Sequence, residues 1–318
     1  MAQQLRSAGD ISRRLKLREL HILSAVVRYG SMAKAAGQLA MSQPAVSDAV
    51  AKCEATLGVR LLDRNRRGVE PTVYARAILK RGDVIFDELR QGIGDIEFLK
   101  NPASGEVCVA CSEALAAGFV PALVHEFAQR YPLVTFNLVE ENTATMQFRE
   151  LHNRNVDLML GFVSGSASDH DFDIDVLFED QLFVISGARS RWARRRKIAL
   201  DDLADEPWIL GTSSNAVRSI VADAFRKRGL TLSKAKVTSN SAHVRLHLLA
   251  TGQYLSVFAG CVVRHNSKRW ALATLPVDLG KRKLPVAIVT VKNRVLSPAA
   301  QLFIEFARGA AKRLAGRE

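Results

Sequence analysis

The sequence predicts an α/β protein with a small helical unit at its N-terminus, on three observations. Short helical patterns and small-residue turns fill residues 17–72. One uninterrupted helical pattern covers residues 73–98, and after Gly105 apolar β-branched runs alternate with helical stretches. Such alternation is typical of α/β units with largely parallel sheets. Because about two hundred residues exceed one comfortable core, we expect the second region to form two lobes.

Composition and charge indicate a globular chain with an anionic partner. Of 318 residues, 48% are hydrophobic and 24% charged, as in globular rather than disordered proteins. Lys and Arg number 45 against 32 Asp and Glu, so the formal net charge is +13. Residues 1–72 hold 12 basic and 6 acidic residues, nearly half of that excess. This balance favours nucleic acid, with acidic membranes and polyanionic substrates left open on charge alone.

The cysteine count and the apolar runs bear on location. Four cysteines in this length do not make a disulfide framework, and no secretory signal is visible, so we expect a reducing, cytoplasmic environment. The longest uncharged stretch, residues 246–263, is interrupted by Thr251, Gly252 and Gly260. We predict a helix, a turn and a buried strand there, and no membrane span.

Residues 30–64 carry the pattern of two short helices joined by a tight turn. Ser31 and Ser42 are candidate N-caps, and Pro44 is tolerated in a first helical turn. Apolar residues at steps of 4, 3 and 4 predict one buried face of the second helix: Val46, Val50, Cys53 and Leu57. Two such helices with small residues at the crossing make a helix-turn-helix.

The opposite face of the second helix is polar. It begins with Gln43 and includes Ser47 and Asp48, at the helix N-terminus, where a recognition helix reaches base edges in the major groove. Gln43 can make a bidentate contact to adenine, and Ser47 can bond a base or a phosphate. The alternative is an ordinary helical hairpin with a solvated polar face.

A basic hairpin follows. Residues 59–62 predict a strand, residues 65–68 a turn and residues 69–71 the returning strand. Three arginines lie at its tip: Arg64, Arg66 and Arg67. Guanidinium groups at such a wing suit phosphate oxygens or a narrow minor groove, and a solvated hairpin is the alternative.

With these residues in view, the stretch from Leu17 to Thr72 resembles the winged helix-turn-helix of LysR-type transcriptional regulators. The matching residues are Gly30-Ser31, Ala35-Ala36, Leu39, Ser42-Gln43-Pro44-Ala45-Val46-Ser47, Glu54, Leu57-Gly58, Leu61-Leu62, Arg64, Gly68-Val69 and Pro71-Thr72. The residues expected to contact DNA are Ser31, Lys34, Ser42, Gln43, Pro44, Ser47, Asp48, Arg64, Arg66 and Arg67. Position 48 is Asp, where many members of the family carry a basic or neutral residue. Its carboxylate repels phosphate but can accept a hydrogen bond from a cytosine amino group.

More weakly, the resemblance extends to about Arg308. It implies a dimerising linker helix and a two-lobed effector domain similar to periplasmic binding proteins. The long helical pattern agrees, because six residues follow heptad steps: Ile78, Gly82, Ile85, Leu89, Gly92 and Ile96. A second apolar line runs through Leu79, Phe86 and Ile93. We expect the seam to form a homodimer or tetramer, with close approach of two backbones at the glycines; burial in one monomeric core is the alternative.

Polar groups cluster where candidate strands end, and in open α/β sheets ligands bind there, near helix N-termini that attract anions. By the resemblance, an effector cleft between the lobes is expected to involve Cys111, Ser112, Asn142, Thr143, Phe162, Thr212, Ser213, Ser214 and Phe258. The ligand would be small and polar, and helix N-termini favour a carboxylate. Glu113 and Glu141 lie close enough to repel an anion, or to bond an amine or hydroxyl instead.

Two further features need weighing. A redox or zinc role for Cys108 and Cys111 is conceivable, but no second cysteine pair accompanies them. Cys108 and Cys111 are three apart on a candidate strand and so point to opposite faces, with Cys111 expected near the cleft mouth. The basic run of residues 189–197 is read as a solvated loop. No nucleophile elbow, Walker loop, dinucleotide fingerprint or metal-ligand spacing is found, so we expect no enzyme, no cofactor and no metal.

The sequence thus predicts a DNA-binding transcriptional regulator controlled by an effector, with α/β architecture after a winged helix-turn-helix. The alternatives are a small-molecule-binding protein or enzyme with a helical oligomerisation appendage, and a nonspecific nucleoid protein. The expected boundaries are an N-terminal arm over 1–16, a DNA-binding domain over 17–72, a linker helix over 73–100 and an effector domain over 101–318. Within the last, lobe I would span about 105–165 and 267–308, and lobe II about 166–266.

Overall fold

The computed structural model describes residues 13–65, 68–101, 104–141, 148–163, 171–212, 216–232, 234–280 and 283–315. The chain forms two compact units, Met1–Arg90 and Gln91–Glu318, so the boundary falls inside the long helix and not at either of its ends. Within the described residues, no helix has the length and apolar character needed to cross a membrane.

The N-terminal unit is a three-helix core with a hairpin. Its elements are α1 (Leu17–Tyr29), α2 (Met32–Gln38), α3 (Gln43–Leu57), β1 (Leu62–Asn65) and β2 (Gly68–Pro71). Gly30 and Gly58 end α1 and α3 with φ of 64° and 70°, the left-handed conformation that glycine adopts without strain. The apolar faces of the helices meet in one core that includes Leu23, Val46 and Cys53.

The hairpin begins three residues later than expected, at Leu62. The carboxylate of Glu54 explains the shift, because it accepts the backbone N–H groups of Leu61 at 2.7 Å and Leu62 at 3.3 Å. The predicted strand residues Val59 and Arg60 are thereby left to connect α3 to the wing. Gly68, the first residue of β2, lies against the end of α1. A Cβ on Gly68 would be 2.6 Å from the carbonyl oxygen of Gly30, so no side chain fits there.

A single helix, α4 (Val73–Lys100), follows the hairpin, close to the predicted range. Thr72 starts it: its hydroxyl accepts the N–H of Ala75 at 3.3 Å and donates to the carbonyl of Arg60 at 2.9 Å. This cap joins the wing to the helix.

The C-terminal unit contains two five-stranded sheets. Its helices are α5 (Glu113–Ala116), α6 (Phe119–Arg130), α7 (Arg149–His152), α8 (Ala216–Arg226), α9 (Ala242–Ala250), α10 (Gly260–Asn266) and α11 (Pro298–Ala315). Its strands are β3 (Ser104–Cys111), β4 (Leu133–Glu140), β5 (Leu158–Phe162), β6 (Phe172–Asp180), β7 (Leu182–Gly187), β8 (Trp208–Leu210), β9 (Val237–Thr238), β10 (Leu255–Ala259), β11 (Leu272–Leu275) and β12 (Leu284–Val291).

The two sheets define two lobes. The first lobe has strand order β4-β3-β5-β12-β6 and the second β11-β7-β10-β8-β9. The expectation of largely parallel sheets is wrong, because β12 runs antiparallel to both its neighbours, and β7 runs antiparallel to β10 and β11. The expected lobe limits differ as well: β6, beyond residue 166, belongs to the first sheet, and β11, beyond residue 267, belongs to the second.

The helical pattern of residues 115–130, which predicts a single helix, is broken in the structure. The pattern over Leu115–Arg130 forms α5 and α6, separated at Ala117 and Gly118. A Cβ on Gly118 would lie 2.7 Å from the carbonyl oxygen of Cys261, so close backbone contact with α10 requires glycine and interrupts the helix. The predicted helix over 145–152 is described only from Arg149, as α7.

A buried polar cluster joins the C-terminal part of α4 to the first lobe. The carboxylate of Asp157 accepts from the Cys108 N–H at 2.9 Å, from the Gln91 amide at 3.1 Å and from the Arg294 guanidinium at 3.2 Å. The Gln91 side chain in turn accepts from the N–H of Ser297 at 2.6 Å. Asp157, Gln91 and Arg294 are all buried, so each needs the partners it has.

Replacing Asp157 by Ala should lower the free energy of unfolding by about 3–5 kcal/mol, because it leaves a buried guanidinium without its counter-ion. Urea denaturation of the full chain measures the loss. Arg308→Ala is the matched control, since Arg308 pairs with Asp175 at 2.6 Å on the surface and should cost about 1 kcal/mol or less. Equal losses in the free energy of unfolding for the two variants would show that the buried cluster stabilises the fold no more than a surface ion pair does.

Candidate DNA-reading surface and ligand cleft

The N-terminus of α3 presents the polar residues that the sequence singled out. Ser42 caps the helix by accepting from the N–H of Ala45 at 3.3 Å, and Gln43 and Pro44 beside it are exposed. Ser47 is half-buried, while Val46 on the opposite side is fully buried. The first turn of α3 therefore offers an amide and hydroxyls to a partner, on a helix held by its own apolar face.

Asp48 is paired along the same helix. Its carboxylate lies 2.7 Å from the ammonium of Lys52, and both side chains are exposed. A neutralised pair offsets the repulsion between Asp48 and a phosphate and leaves a carboxylate oxygen that can accept from a base.

The remaining predicted DNA contacts divide into engaged, exposed and undescribed groups. The hydroxyl of Ser31 caps α2 by accepting from the N–H of Lys34 at 3.4 Å, and the Lys34 side chain is exposed. Arg64 lies on β1, but its side chain falls outside the described residues, as do Arg66 and Arg67 entirely.

The predicted seam on α4 splits into two parts. Ile78 packs against the core of the N-terminal unit, and a Cβ on Gly82 would lie 3.0 Å from the Leu20 side chain. The expectation that both residues face a second subunit is therefore wrong: the close approach that Gly82 permits is to α1 of its own chain. Phe86, from the second apolar line, also packs there.

After Gly82, α4 exposes several large apolar side chains. Ile85, Leu89 and Ile96 are 42%, 48% and 54% exposed, and Ile93 is 59% exposed. Nothing lies within 4 Å of a Cβ built on Gly92. These five residues form what we call the open face of α4, and a soluble chain rarely leaves such a stripe without a partner.

All four cysteines are buried thiols. Cys108 and Cys111 lie on opposite faces of β3, as expected, in separate apolar clusters. Cys111 is not at a cleft mouth, however: it packs inside the core, where burial raises the pKa of its thiol to about 11. Burial raises the pKa of Cys53 to about 11 as well.

Among the residues that the structure describes, two buried side-chain oxygens at the edge of the first lobe have no hydrogen-bond partner. They are Ser112 Oγ and Glu141 Oε2. Ser112 follows β3 and Glu141 follows β4, and the two strands are parallel neighbours. The N–H of Glu141 donates to the carbonyl of Cys111 at 3.0 Å, so the two residues are adjacent where the strands end. Phe162 ends β5, the other parallel neighbour of β3.

The second lobe meets this edge at the N-terminus of α9. Glu113, next to Ser112, accepts the N–H of Ala242, the first residue of α9. Two residues earlier, the Asn240 side chain accepts from the backbone N–H of Thr212 at 3.0 Å and donates to its hydroxyl at 3.1 Å. Ser112 and Thr212, predicted from separate segments, are thus both connected to one helix end.

A buried guanidinium lies one turn into α9. Arg245 donates to the hydroxyl of Ser256 at 2.7 Å and to the carbonyl of Val257, and its charge lies 4.0 Å from the ring centre of Phe258. Burial lowers the pKa of Arg245 to about 10. Phe258, a predicted cleft residue, therefore makes a cation–π contact with Arg245.

The sequence did not single out Arg245, Asn240 or the capping role of Glu113. A signal for Arg245 was present, because it occupies the apolar stripe of α9 between Ala242 and Leu249, where a charge is out of place. Of the other predicted cleft residues, Asn142, Thr143, Ser213 and Ser214 lie outside the described residues.

Comparison with known proteins identifies the two units. Residues 17–76 match the bacterial regulatory helix-turn-helix protein model of the lysR family, and residues 100–312 match the LysR substrate binding domain. The chain belongs to the LysR family. It is a transcriptional regulator with a DNA-binding helix-turn-helix and an effector-binding domain.

Relatives align over nearly the whole chain. The regulator GbpR of Azospirillum brasilense is 27% identical over 302 residues, covering 93% of this chain and 87% of GbpR. The transcriptional activator CmpR of Synechocystis is 28% identical over 297 residues, covering 91% and 94%. The crystal structure of full-length CbnR with its target DNA superposes with a TM-score of 0.66 at 21% identity, covering 93% and 99%, which shows a common fold.

If the exposed amide of Gln43 at the start of α3 contacts a base, Gln43→Ala should weaken binding to the operator by about 1–3 kcal/mol and leave binding to random DNA nearly unchanged. Fluorescence anisotropy with both DNAs measures the two affinities. Gln38→Ala, at the exposed end of α2, is the control. Equal weakening on both DNAs would place Gln43 against phosphate instead.

The cysteines should resist modification in the native protein. Thiolate is the reactive species, and a pKa of about 11 leaves Cys53 and Cys111 almost wholly protonated at pH 8. Iodoacetamide labelling followed by mass spectrometry should find these two sites unmodified until urea unfolds the chain. Rapid native labelling of Cys111 would show instead that its thiol is accessible and reactive.

Proposed function

We propose that this regulator reads its operator with the first turn of α3, dimerises along the open face of α4, and binds a small polar effector between its two lobes. The observation that carries the effector site is the pair of buried oxygens, Ser112 Oγ and Glu141 Oε2, that find no hydrogen-bond partner within the described part of the chain. A buried polar atom without a partner costs about 1–3 kcal/mol, which a ligand at this edge would recover.

The two oxygens define part of the ligand's chemistry. Glu141 Oε2 accepts hydrogen bonds, and Ser112 Oγ can donate or accept. An effector with at least one hydroxyl or amine donor satisfies both. On the second lobe, Thr212 is hydrogen-bonded to Asn240, which precedes α9, and both would face the ligand. On the first lobe, Phe162 at the end of β5 would supply an apolar contact.

The role is regulatory rather than enzymatic, and the protein would act in the cytoplasm. The named relatives are transcriptional regulators, which supports this assignment. The cleft groups proposed above are suited to holding a ligand. The Ser112 hydroxyl lies near two carboxylates but makes no hydrogen bond to either, whereas an activated nucleophile is hydrogen-bonded to its base.

The function is tested by DNA retardation with a fragment from upstream of the protein's own gene and a random fragment of equal length. A regulator should prefer the former by about a thousandfold or more. A thermal-shift screen of small metabolites on the same preparation then tests the effector, since a ligand at 100 times its dissociation constant stabilises by about 2.7 kcal/mol. Equal affinity for both fragments would favour a nonspecific nucleoid protein.

Ile85→Asp with Leu89→Asp should break the dimer and abolish operator binding, because carboxylates would be buried against the partner helix. Sedimentation velocity measures the change in mass. Val176→Asp, at an apolar position 52% exposed on the edge strand β6 of the first lobe, should leave the oligomer intact. An unchanged mass in the double variant would show that the open face of α4 is not the interface.

A further inference from the structure

We propose that the N-terminus of α9, together with Arg245, is the subsite for an anionic group of the effector, and that Glu113 occupies this subsite when the effector is absent. The proposal rests on the effector cleft described above and adds the chemical class of its ligand. The effector would be a small carboxylate that also carries a hydroxyl or amine donor.

The helix end already holds a carboxylate, and that carboxylate comes from the other lobe. Glu113 extends from the end of β3 in the first lobe and accepts the N–H of Ala242 in the second. The side chain of Ser241 accepts the N–H of Val244 at 3.4 Å, completing the first turn. Helix N-termini stabilise anions through these N–H groups and the helix dipole, so Glu113 is bound as a ligand anion would be.

Arg245 supplies the positive charge for such an anion. Its side chain is 6% exposed, and its hydrogen bonds go to a hydroxyl and a carbonyl, neither of which carries charge. Among the described residues, no carboxylate lies within 4 Å of its guanidinium, and its nearest compensation is the field of Glu113. A buried guanidinium without a direct counter-ion is costly, and a carboxylate delivered next to it would offset that cost.

Glu113 is the group that such a ligand would replace. Burial raises the pKa of its carboxyl group, because the carboxylate loses hydration in this position. Glu113 would regain that hydration if a ligand displaced it into solvent. Its neighbour Ser112 has the buried hydroxyl without a partner. A ligand carboxylate at α9 gains the helix end, Arg245 and the Ser112 hydroxyl, and so makes one contact that Glu113 leaves unmade.

Chemical rescue tests the subsite on the full-length protein with sodium formate and sodium acetate as probes. Glu113→Ala removes the internal anion and should lower Tm, and either probe should restore at least half of that loss. Sodium chloride at equal ionic strength should restore none. Asp202→Ala is the matched control, because the Asp202 carboxylate accepts the Ala199 N–H at 3.0 Å but is exposed and lacks a buried arginine. Its loss should not respond to formate beyond chloride.

A second variant covers the case in which Glu113→Ala does not fold. Glu113→Gln keeps an acceptor for the Ala242 N–H and removes the competing charge, so acetate should stabilise it at a concentration at least tenfold lower than the wild type requires. Adding Arg245→Met should abolish that response.

Identical acetate responses in Glu113→Gln and the wild type, or rescue of Glu113→Ala no greater than that of Asp202→Ala, would overturn the anion subsite and leave Glu113 as a structural cap. Operator retardation by the wild-type protein is measured in parallel. Retained operator binding with no rescue would reject only the subsite, whereas a loss of preference for the operator would reject the proposed function.

Discussion

The end of a helix must have its N–H groups satisfied, and in the effector unit this requirement binds one lobe to the other. The first lobe supplies a carboxylate to two helices of the second: Glu113 to α9 and Asp180 to α10, where it accepts the N–H of Cys261 at 2.8 Å. An arginine follows three residues after each capped N–H group, Arg245 after Ala242 and Arg264 after Cys261. The surroundings of the two caps differ. Asp180 is fully buried and lies 3.7 Å from Arg264, whereas Glu113 lies beside the Ser112 hydroxyl, which finds no partner among the described residues, and is not paired directly with Arg245.

Because of this difference, the Asp180 cap serves as a structural link between the lobes, whereas the Glu113 cap lies at a candidate ligand site. Asp180 ends β6 immediately before the crossover to β7, and a Cβ on Gly260 would lie 2.6 Å from its carboxylate, so this contact leaves no room for a ligand. Glu113 lies at the sheet edge where parallel strands end, the usual position of ligands in open α/β sheets. β3 connects this edge to the Asp157 cluster through the N–H of Cys108, and Gln91 of α4 is part of that cluster. A ligand that moves the end of β3 would therefore act on a strand bonded to the linker helix.

Local pattern was enough for the N-terminal unit, because caps, glycines and apolar steps act over a few residues. The wing was misplaced because its start is set by Glu54, whose carboxylate reaches seven residues along the chain. The seam on α4 was wrong at Ile78 and Gly82, because a heptad pattern gives the face of a helix and not its partner. Only contact with Leu20 distinguishes an interface inside the chain from one between chains.

The effector unit was less predictable, because its decisive contacts are distant in sequence. The sequence of β6 does not mark it as a strand, because Asp173, Asp175 and Glu179 interrupt its apolar residues, yet it forms the outer edge of the first sheet beside β12. Strand direction depends on pairing and leaves no mark in periodicity. Ser112 and Thr212 were predicted from strand ends, but the contact that connects them, from Glu113 to Ala242, spans 129 residues.

The central claim is that a carboxylate of one lobe caps α9 of the other, and amide hydrogen exchange at Ala242 tests it most directly. The exchange rate of this single N–H is compared in the full-length wild type and in Glu113→Ala, with no ligand added. The account predicts a protected amide in the wild type and exchange about tenfold faster or more in the variant, as expected from losing a hydrogen bond to a charged acceptor. Equal rates in the two proteins would contradict it.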